Sequence, residues 1–444
     1  MEELFIKKQT YPQFLKHIFP SIVTMIFLSF YTTIDGFFVS RYVNSDALAS
    51  INIIIPITCV FFGISVMLAT GSGALVSIKL GEKDRDGANK LFSFITISLL
   101  ILGVIMTLVG VVFLEELLKF LGATDKLMPY VKPYGFLTIL MTIPMMFKLY
   151  FEYYARVDGN PNIALIMSTL GLGLNVVFDY IFIDIFDMGI LGAGLGTFSS
   201  IAISAIIGFI YFISNKSNLK FVKTTTDMKI LFNSCYNGSS EMFTELSTGI
   251  TTFLFNKSLL VIAGENGVAA MSIITYMYYF FIAVYFGVTV GVSPIISYNF
   301  GAKNKEKIDE SLKYSFITIT WSSILIFLVS MLGGKYIIGM FTTDIDVFNI
   351  ASHGIKLFSW GFLMIGVNVF ISGYFTSIGN GKISAIISIL RSLVFVTISV
   401  VVLPRFIGIS GVWLSIPISE LLTIIFSIYF YIRKGECHMK KFVC

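Results

Sequence analysis

Charge is scarce in this chain. Only 13% of its residues are Asp, Glu, Lys or Arg, about half the share of an ordinary water-soluble domain, so a soluble globular protein is excluded. Histidine and cysteine are scarcer still, at three and four residues. His17, His353 and His438 lie near the ends of apolar runs or in the tail. Cys59, Cys235, Cys437 and Cys444 form neither a CxxC pair nor a metal-ligand spacing, which leaves free thiols. Nucleotide chemistry is missing too. TGSGA (70–74) sits inside an apolar run with no strand before it, and Gly381-Lys382 is followed by Ile383 where a phosphate loop needs Ser or Thr. With no nucleophile–base pair either, the chain does not read as an enzyme or an ATP-driven pump.

What is present in excess is apolar and aromatic. Hydrophobic residues make up 56%, with 44 Phe and 21 Tyr, and the mean hydropathy is +0.86. A membrane-spanning helix needs about 20 residues, so 444 residues hold a dozen with short loops. Apolar runs separated by Gly, Pro, Asn or charge predict spans near 14–40, 51–78, 91–114, 127–152, 161–183 and 190–213. They resume near 236–262, 267–297, 312–333, 350–376, 383–403 and 411–432. Between the sets lies the longest polar interval, Ser214 to Asn233, with Lys216, Lys220, Lys223 and Lys229. It reads as a linker carrying at most a short surface helix. The expected units are therefore 1–213, a linker at 214–235, and 236–444.

Lys and Arg concentrate in alternate loops: 79–90, Arg156, the linker, 303–313, Lys382 and the tail. The intervening loops are poorer, so both termini are expected in the cytoplasm. The N-terminus has acids ahead of its lysines and no small-residue cleavage site, and no removable signal peptide is expected. The net charge of +5 is spread over short loops and gives no nucleic-acid surface.

The chain repeats itself. KLGEKD (79–84) after span two answers NFGAKN (299–304) after span eight, with Gly81 and Gly301 220 residues apart. Gly159-Asn160 and Gly379-Asn380 share that offset; Gly192 and Gly411 differ by 219. Six spans per copy, both starting on one side, give parallel repeats around an axis along the membrane normal. The fold class is all-α: twelve transmembrane helices in two pseudo-symmetric six-helix bundles around a central cavity.

Ionisable residues at hydrocarbon depth cost at least about 2.5–3.5 kcal/mol each and are functional by default. Asp35 lies in span one with Tyr31 one turn earlier; Asp179 lies in span five with Asn175 one turn earlier; Thr197 lies in span six inside GAGLGT. Asp35 is either a functional acid or one bonded to nearby hydroxyls, and Asp179 is either functional or partly hydrated near its helix end. At the 220-residue offset Asp179 meets Ser399 and Asn175 meets Phe395; with one residue of drift Asp35 meets Asn256. The second half keeps no acid there, which assigns any ion site to the first. Glu241 and Glu245 share a face of span seven, either lining the cavity floor or capping the linker junction. Lys257 lies about 18 Å beyond Glu245 and is expected to snorkel to the interface. Lys148 and Glu152 read as a structural i,i+4 pair, and Arg391 and Glu420 lie deeper in the second half, where sequence does not show whether they pair. Pro56, Pro144, Pro294 and Pro417 fall inside spans and favour bends.

Taken in order, YTTIDGFFVSRYVNSDALASINIIIPI (31–57), the two repeated loops, the GNP and GNG turns, NVVFDYIF (175–182) and MGILGAGLGT (188–197) resemble the multidrug and toxic compound extrusion (MATE) family over the full length. The resemblance implies a monomeric secondary transporter of the cell membrane, without cofactor, that exports cationic amphipathic drugs or dyes by antiport with H⁺ or Na⁺ through alternating access. It implies ion coupling at Asp35, Tyr31, Asn175, Asp179 and Thr197, with Na⁺, where used, held by Asp35, Asn175, Asp179 and Thr197. Glu241, Glu245 and Asn256 are the expected substrate-cavity residues. The branch that uses acids in spans seven and ten is not matched, because span ten has none. The alternative within the superfamily is a lipid-linked oligosaccharide flippase, which calls for a more cationic cavity than Arg41 and Lys257 supply.

Overall fold

The structure, a computed structural model, describes residues 5, 7–42, 45–225 and 227–435; the side chains of 31–49 and 434–435 lie outside that description. Apolar runs in a medium without water must satisfy their backbone internally, and the described chain does so with helices. In the first half these are α1 (Tyr11–Tyr42), α2 (Ser45–Gly81), α3 (Arg85–Val112), a short α4 (Leu114–Phe120), α5 (Met128–Leu140), α6 (Thr142–Val157), α7 (Pro161–Asp179) and α8 (Gly189–Ile213). The second half contains α9 (Met228–Gly301), α10 (Lys305–Leu328), a short α11 (Gly334–Phe341), α12 (Ile345–Phe358) and α13 (Phe362–Ser377). It ends with α14 (Gly381–Ile389), α15 (Phe395–Ile407) and α16 (Ile409–Phe430).

Ten described segments are long and apolar enough to cross a membrane, and the bent pair α5–α6 makes eleven. The 46° bend in that pair follows from Pro144, which has no N–H for the Leu140 carbonyl one turn back. The 74 residues of α9 would stretch roughly 110 Å if straight. They reverse at Gly264, whose φ of 64° and ψ of −154° suit glycine, so α9 is two spans and the total is twelve. The chain is a multi-pass membrane protein.

The repeat extends to backbone detail. Gly159 and Gly379 both have positive φ (81° and 74°), and so do the non-glycine pair Lys83 and Lys303 (65° and 55°). Asp84 accepts from the Gly87 N–H and caps α3, while Asn304, 220 residues on, accepts from the Lys307 N–H and caps α10. Lys79 donates to the Asp84 carboxylate at 2.8 Å, and with the Gly87 bond holds it below the usual carboxylate range.

The halves meet by glycine. A Cβ on Gly81 would overlap the Tyr298 carbonyl, and one on Gly301 would overlap the Ile78 carbonyl. Residues 78 and 298 are again 220 apart, so this is one contact made twice about a pseudo-two-fold axis. Gly71 and Gly238 bring α2 and α9 together, and Gly287 and Gly291 admit α1 at Ile22 and Ser21. Small residues of this kind let helix backbones touch where lipid gives no hydrophobic drive. Asn237 reinforces the closure by donating to the carbonyls of Gly71 and Thr376 at 3.2 and 3.1 Å. Each half also buries the start of the other's first span: Phe14 and Ile18 join the second-half core, and Ile230 and Leu231 pack on the first.

The linker is mostly not free chain. Asp158, in the turn after α6, accepts from Tyr211 Oη at 2.6 Å and from the backbone of Asn218 and Leu219 at 2.9 and 2.8 Å. Burial pushes its carboxyl above the usual range, and these bonds work against the shift. Lys220 N–H donates to Asn89 Oδ1 and Val222 N–H to Ser93 Oγ, while Phe221 stacks on Phe92 at 4.9 Å. Residues 217–222 thus form a strap on the first half. No separate surface helix lies in the interval among the described residues; α9 begins at Met228, inside it.

Two predictions follow from this packing. In a background without native cysteines, Ser297→Cys, fully buried at the crossing, resists thiol reagents. Adding Gly81→Ala or Gly301→Ala forces the halves apart and raises its labelling rate by about tenfold or more. Separately, Asp158→Ala frees the strap, and trypsin then cleaves at Lys216, Lys220 or Lys223 under conditions that leave the native chain intact.

Candidate functional site

Three of the five expected ion-site residues meet in the first half. Asn175 and Asp179, one turn apart on α7, are fully buried, and Thr197 on α8 is 7% exposed. The Asn175 amide lies 3.4 Å from Asp179 Oδ2 and 3.4 Å from Thr197 Oγ1, and Thr197 donates to the Ala193 carbonyl at 3.1 Å. The glycine run of α8 makes this fit possible: a Cβ on Gly196 would overlap Asp179 Oδ1, and one on Gly192 would press the Phe182 backbone. Directly after Asp179 the helix widens into a π turn, Tyr180–Ile185, a distortion common at functional sites. α1, which carries Tyr31 and Asp35, packs against α7 and α8; the Tyr31 and Asp35 side chains lie outside the described residues.

The groups assembled at Asp179 are its carboxylate, the Thr197 hydroxyl and the Asn175 amide, which turns its NH2 toward both. Carboxylate and hydroxyl oxygens are hard ligands that suit a proton or a small alkali cation better than a soft transition metal. Groups of three or more His, Cys, Asp or Glu placed to hold a metal are absent among the described residues.

The repeat locates the counterparts. Ser399, opposite Asp179, is buried in α15. The reciprocal glycine contacts keep the 220-residue offset along α1 and α9 without drift, since Ile18 and Gly238 occupy matching places. Carried on without drift, the offset sets Asp35 against Phe255, buried in the second-half core; with one residue of drift it meets Asn256.

Glu241 and Glu245 lie between the halves. Both are half-buried, and neither is hydrogen-bonded or ion-paired among the described residues. Glu245 faces α2, where a Cβ on Gly63 would stand 3.4 Å from its own Cβ. It interacts electrostatically with Cys59 and Tyr279. Glu241 interacts in the same way with Tyr153 of the first half and Arg391 of the second. Asn256 is eleven residues beyond Glu245 on α9, on the same helical face and about 16 Å farther along the helix. It lines a groove of about 730 Å³ beside the Gly264 bend, with Lys257 and Glu265. Lys257 is exposed and makes no ion pair with Glu245.

Two buried polar clusters flank this space. Lys148 and Glu152 pair at 3.1 Å, each 3% exposed, and Ser168 donates to Glu152 at 3.0 Å. The matching positions in the second half are Ser372 and Ser388, 3.0 Å apart. Arg391 and Glu420 approach to 3.7 Å, and Asn368 donates to Glu420 Oε2 at 2.7 Å and to its carbonyl at 2.9 Å. Asn368 was missed from sequence because a lone amide in an apolar run carries little signal. Its repeat partner, Lys148, was the clue available.

A family model described as MatE matches residues 20–181 and again 240–401. The chain is similar to the multidrug export protein MepA of Staphylococcus aureus strain MSSA476, 26% identical over 426 residues, 94% of this chain and 92% of the relative. It is also similar to MepA of Staphylococcus haemolyticus strain JCSC1435, 26% identical over 403 residues, 90% and 88%. Among solved structures, a MATE protein in complex with MaL6 superposes with a TM-score of 0.92 at 21% identity, covering 99% of both chains. A MOP superfamily transporter from Pyrococcus furiosus superposes at 0.90 with 20% identity, covering 100% of this chain and 98% of that one.

The clash built into Gly196 gives a test of the site. Gly196→Ala adds one methyl group and is expected to displace the Asp179 carboxylate, so that it matches Asp179→Asn in loss of H⁺- or Na⁺-dependent tryptophan fluorescence change. Gly173→Ala, where a Cβ meets nothing within 4 Å, leaves the response intact.

Proposed function

The chain belongs to the MatE family, and on that footing we propose that it is a secondary active multidrug exporter. Its substrates are cationic amphipathic compounds, exchanged for H⁺ or Na⁺ across the cell membrane, with both termini cytoplasmic. The observation that carries this reading is the sealed Asn175–Asp179–Thr197 cluster in one half, set apart from Glu241 and Glu245 between the halves. The names of the MepA relatives support export of drugs.

The chemistry is a competition. A carboxylate in low dielectric is costly unless protonated or paired with a cation. When the cavity faces outward, a proton or Na⁺ relieves that cost at Asp179, with Asp35 contributed by α1. Neutralisation favours release of the organic cation held by Glu241 and Glu245. Tyr278 and Tyr279, not fully buried, offer aromatic faces that attract a quaternary ammonium. A flippase for anionic lipid-linked sugars is disfavoured by these two acids.

In cells, Asp35→Asn and Asp179→Asn each abolish resistance to a cationic dye at unchanged protein abundance; retained resistance in both would remove the assigned role. Proteoliposomes given either a Na⁺ or a pH gradient identify the coupling ion, and export driven by neither contradicts antiport.

A further inference from the structure

A buried guanidinium with nothing to donate to is expensive, and this protein contains one beside its cavity. Arg391 is 5% exposed. Its five N–H groups make no hydrogen bond among the described residues, and Nε is buried without a partner. Its one ion pair, to Glu420 Oε1, is 3.7 Å long, beyond hydrogen-bonding range. Glu420 is held where it is, because Asn368 binds both its Oε2 and its carbonyl. The backbone of Arg391 is also fixed: it lies in the π turn Leu390–Val394, and Ser419 Oγ donates to its carbonyl at 3.1 Å. Only the end of the side chain is free to choose a partner. The π turn that carries Arg391 packs against α9, the helix of Glu241; Glu241 is half-buried, has no hydrogen bond or ion pair among the described residues, and interacts electrostatically with Arg391. Tyr278 interacts with both Arg391 and Glu420.

We propose that Arg391 is a tethered competitor for the cation site at Glu241, a positioning residue that sets how tightly the exported compound is held. The inference rests on the reading of the cavity as a cation site. With the cavity empty, the guanidinium turns from Glu420 toward Glu241 and neutralises it. An incoming organic cation must displace it, and on the outward side its return helps the cation leave. A group fixed within reach competes at an effective concentration in the millimolar range. No covalent chemistry is involved. The arrangement favours ligands whose positive charge outcompetes one guanidinium and weakens retention of all of them.

Binding of tetraphenylphosphonium to the purified protein in lipid nanodiscs tests this. Arg391→Gln with Glu420→Gln removes both members of the loose pair, so that neither is stranded by loss of the other. The double variant is expected to bind about three- to tenfold more tightly, through slower dissociation, at the charge separations and dielectric of such a site. Glu241→Gln weakens binding, and the triple variant matches Glu241→Gln alone, because the gain needs the carboxylate that Arg391 contests. Arg391→Lys keeps the charge and stays near wild type. Unchanged affinity in the double variant, or a gain that survives Glu241→Gln, overturns the inference alone. Absence of wild-type binding overturns it together with the cation-export reading.

Discussion

A carboxylate at hydrocarbon depth has no water to stabilise it, and the arrangement of this protein follows from how each such group is satisfied. Asp179 lies against a glycine with an amide and a hydroxyl in reach. Glu152 has Lys148 and Ser168. Glu420 has Asn368 and a distant Arg391. Glu241 and Glu245 have no hydrogen bond or ion pair among the described residues, and they are the two placed between the halves. The gradation from satisfied to unsatisfied runs from the bundle interiors to the central space, which is where an exchangeable cation is useful.

The second constraint is the crossing of the halves. Because lipid gives apolar helices no reason to associate, closeness must come from small residues and buried hydrogen bonds. The reciprocal Gly81–Tyr298 and Gly301–Ile78 contacts supply the first, and Asn237 the second. A contact made twice about a two-fold axis closes or parts as a unit, since packed interfaces are bistable and not continuously deformable. The strap at 217–222 is fastened to the first half by way of Asp158.

Much of this was legible in sequence. Twelve apolar runs become twelve spans because length and hydropathy act locally. The glycine turns at 159 and 379 were legible because Gly-Asn recurs at the 220-residue offset, and both glycines have the positive φ that glycine adopts without strain. Asn175, Asp179 and Thr197 were recognisable as polar residues at costly depth. Other features were not legible, for physical reasons. Register between the halves shows only in paired contacts such as Gly291 on Ile18 and Gly71 on Gly238, which are 220 residues apart in both members. The strap was hidden because Asp158 reaches backbone N–H groups, which any sequence supplies. Arg391 and Glu420 were visible as charges at depth, but their pairing joins two different spans and its looseness is a matter of tenths of an ångström.

The central claim is that Asp179 couples an ion to transport without itself holding the drug. Proteoliposomes carrying Asp179→Asn separate the two roles. The account predicts that labelled substrate still exchanges across the membrane at equal concentrations on both sides, while uphill accumulation under an imposed ion gradient is lost. Uphill accumulation at the wild-type level would contradict it.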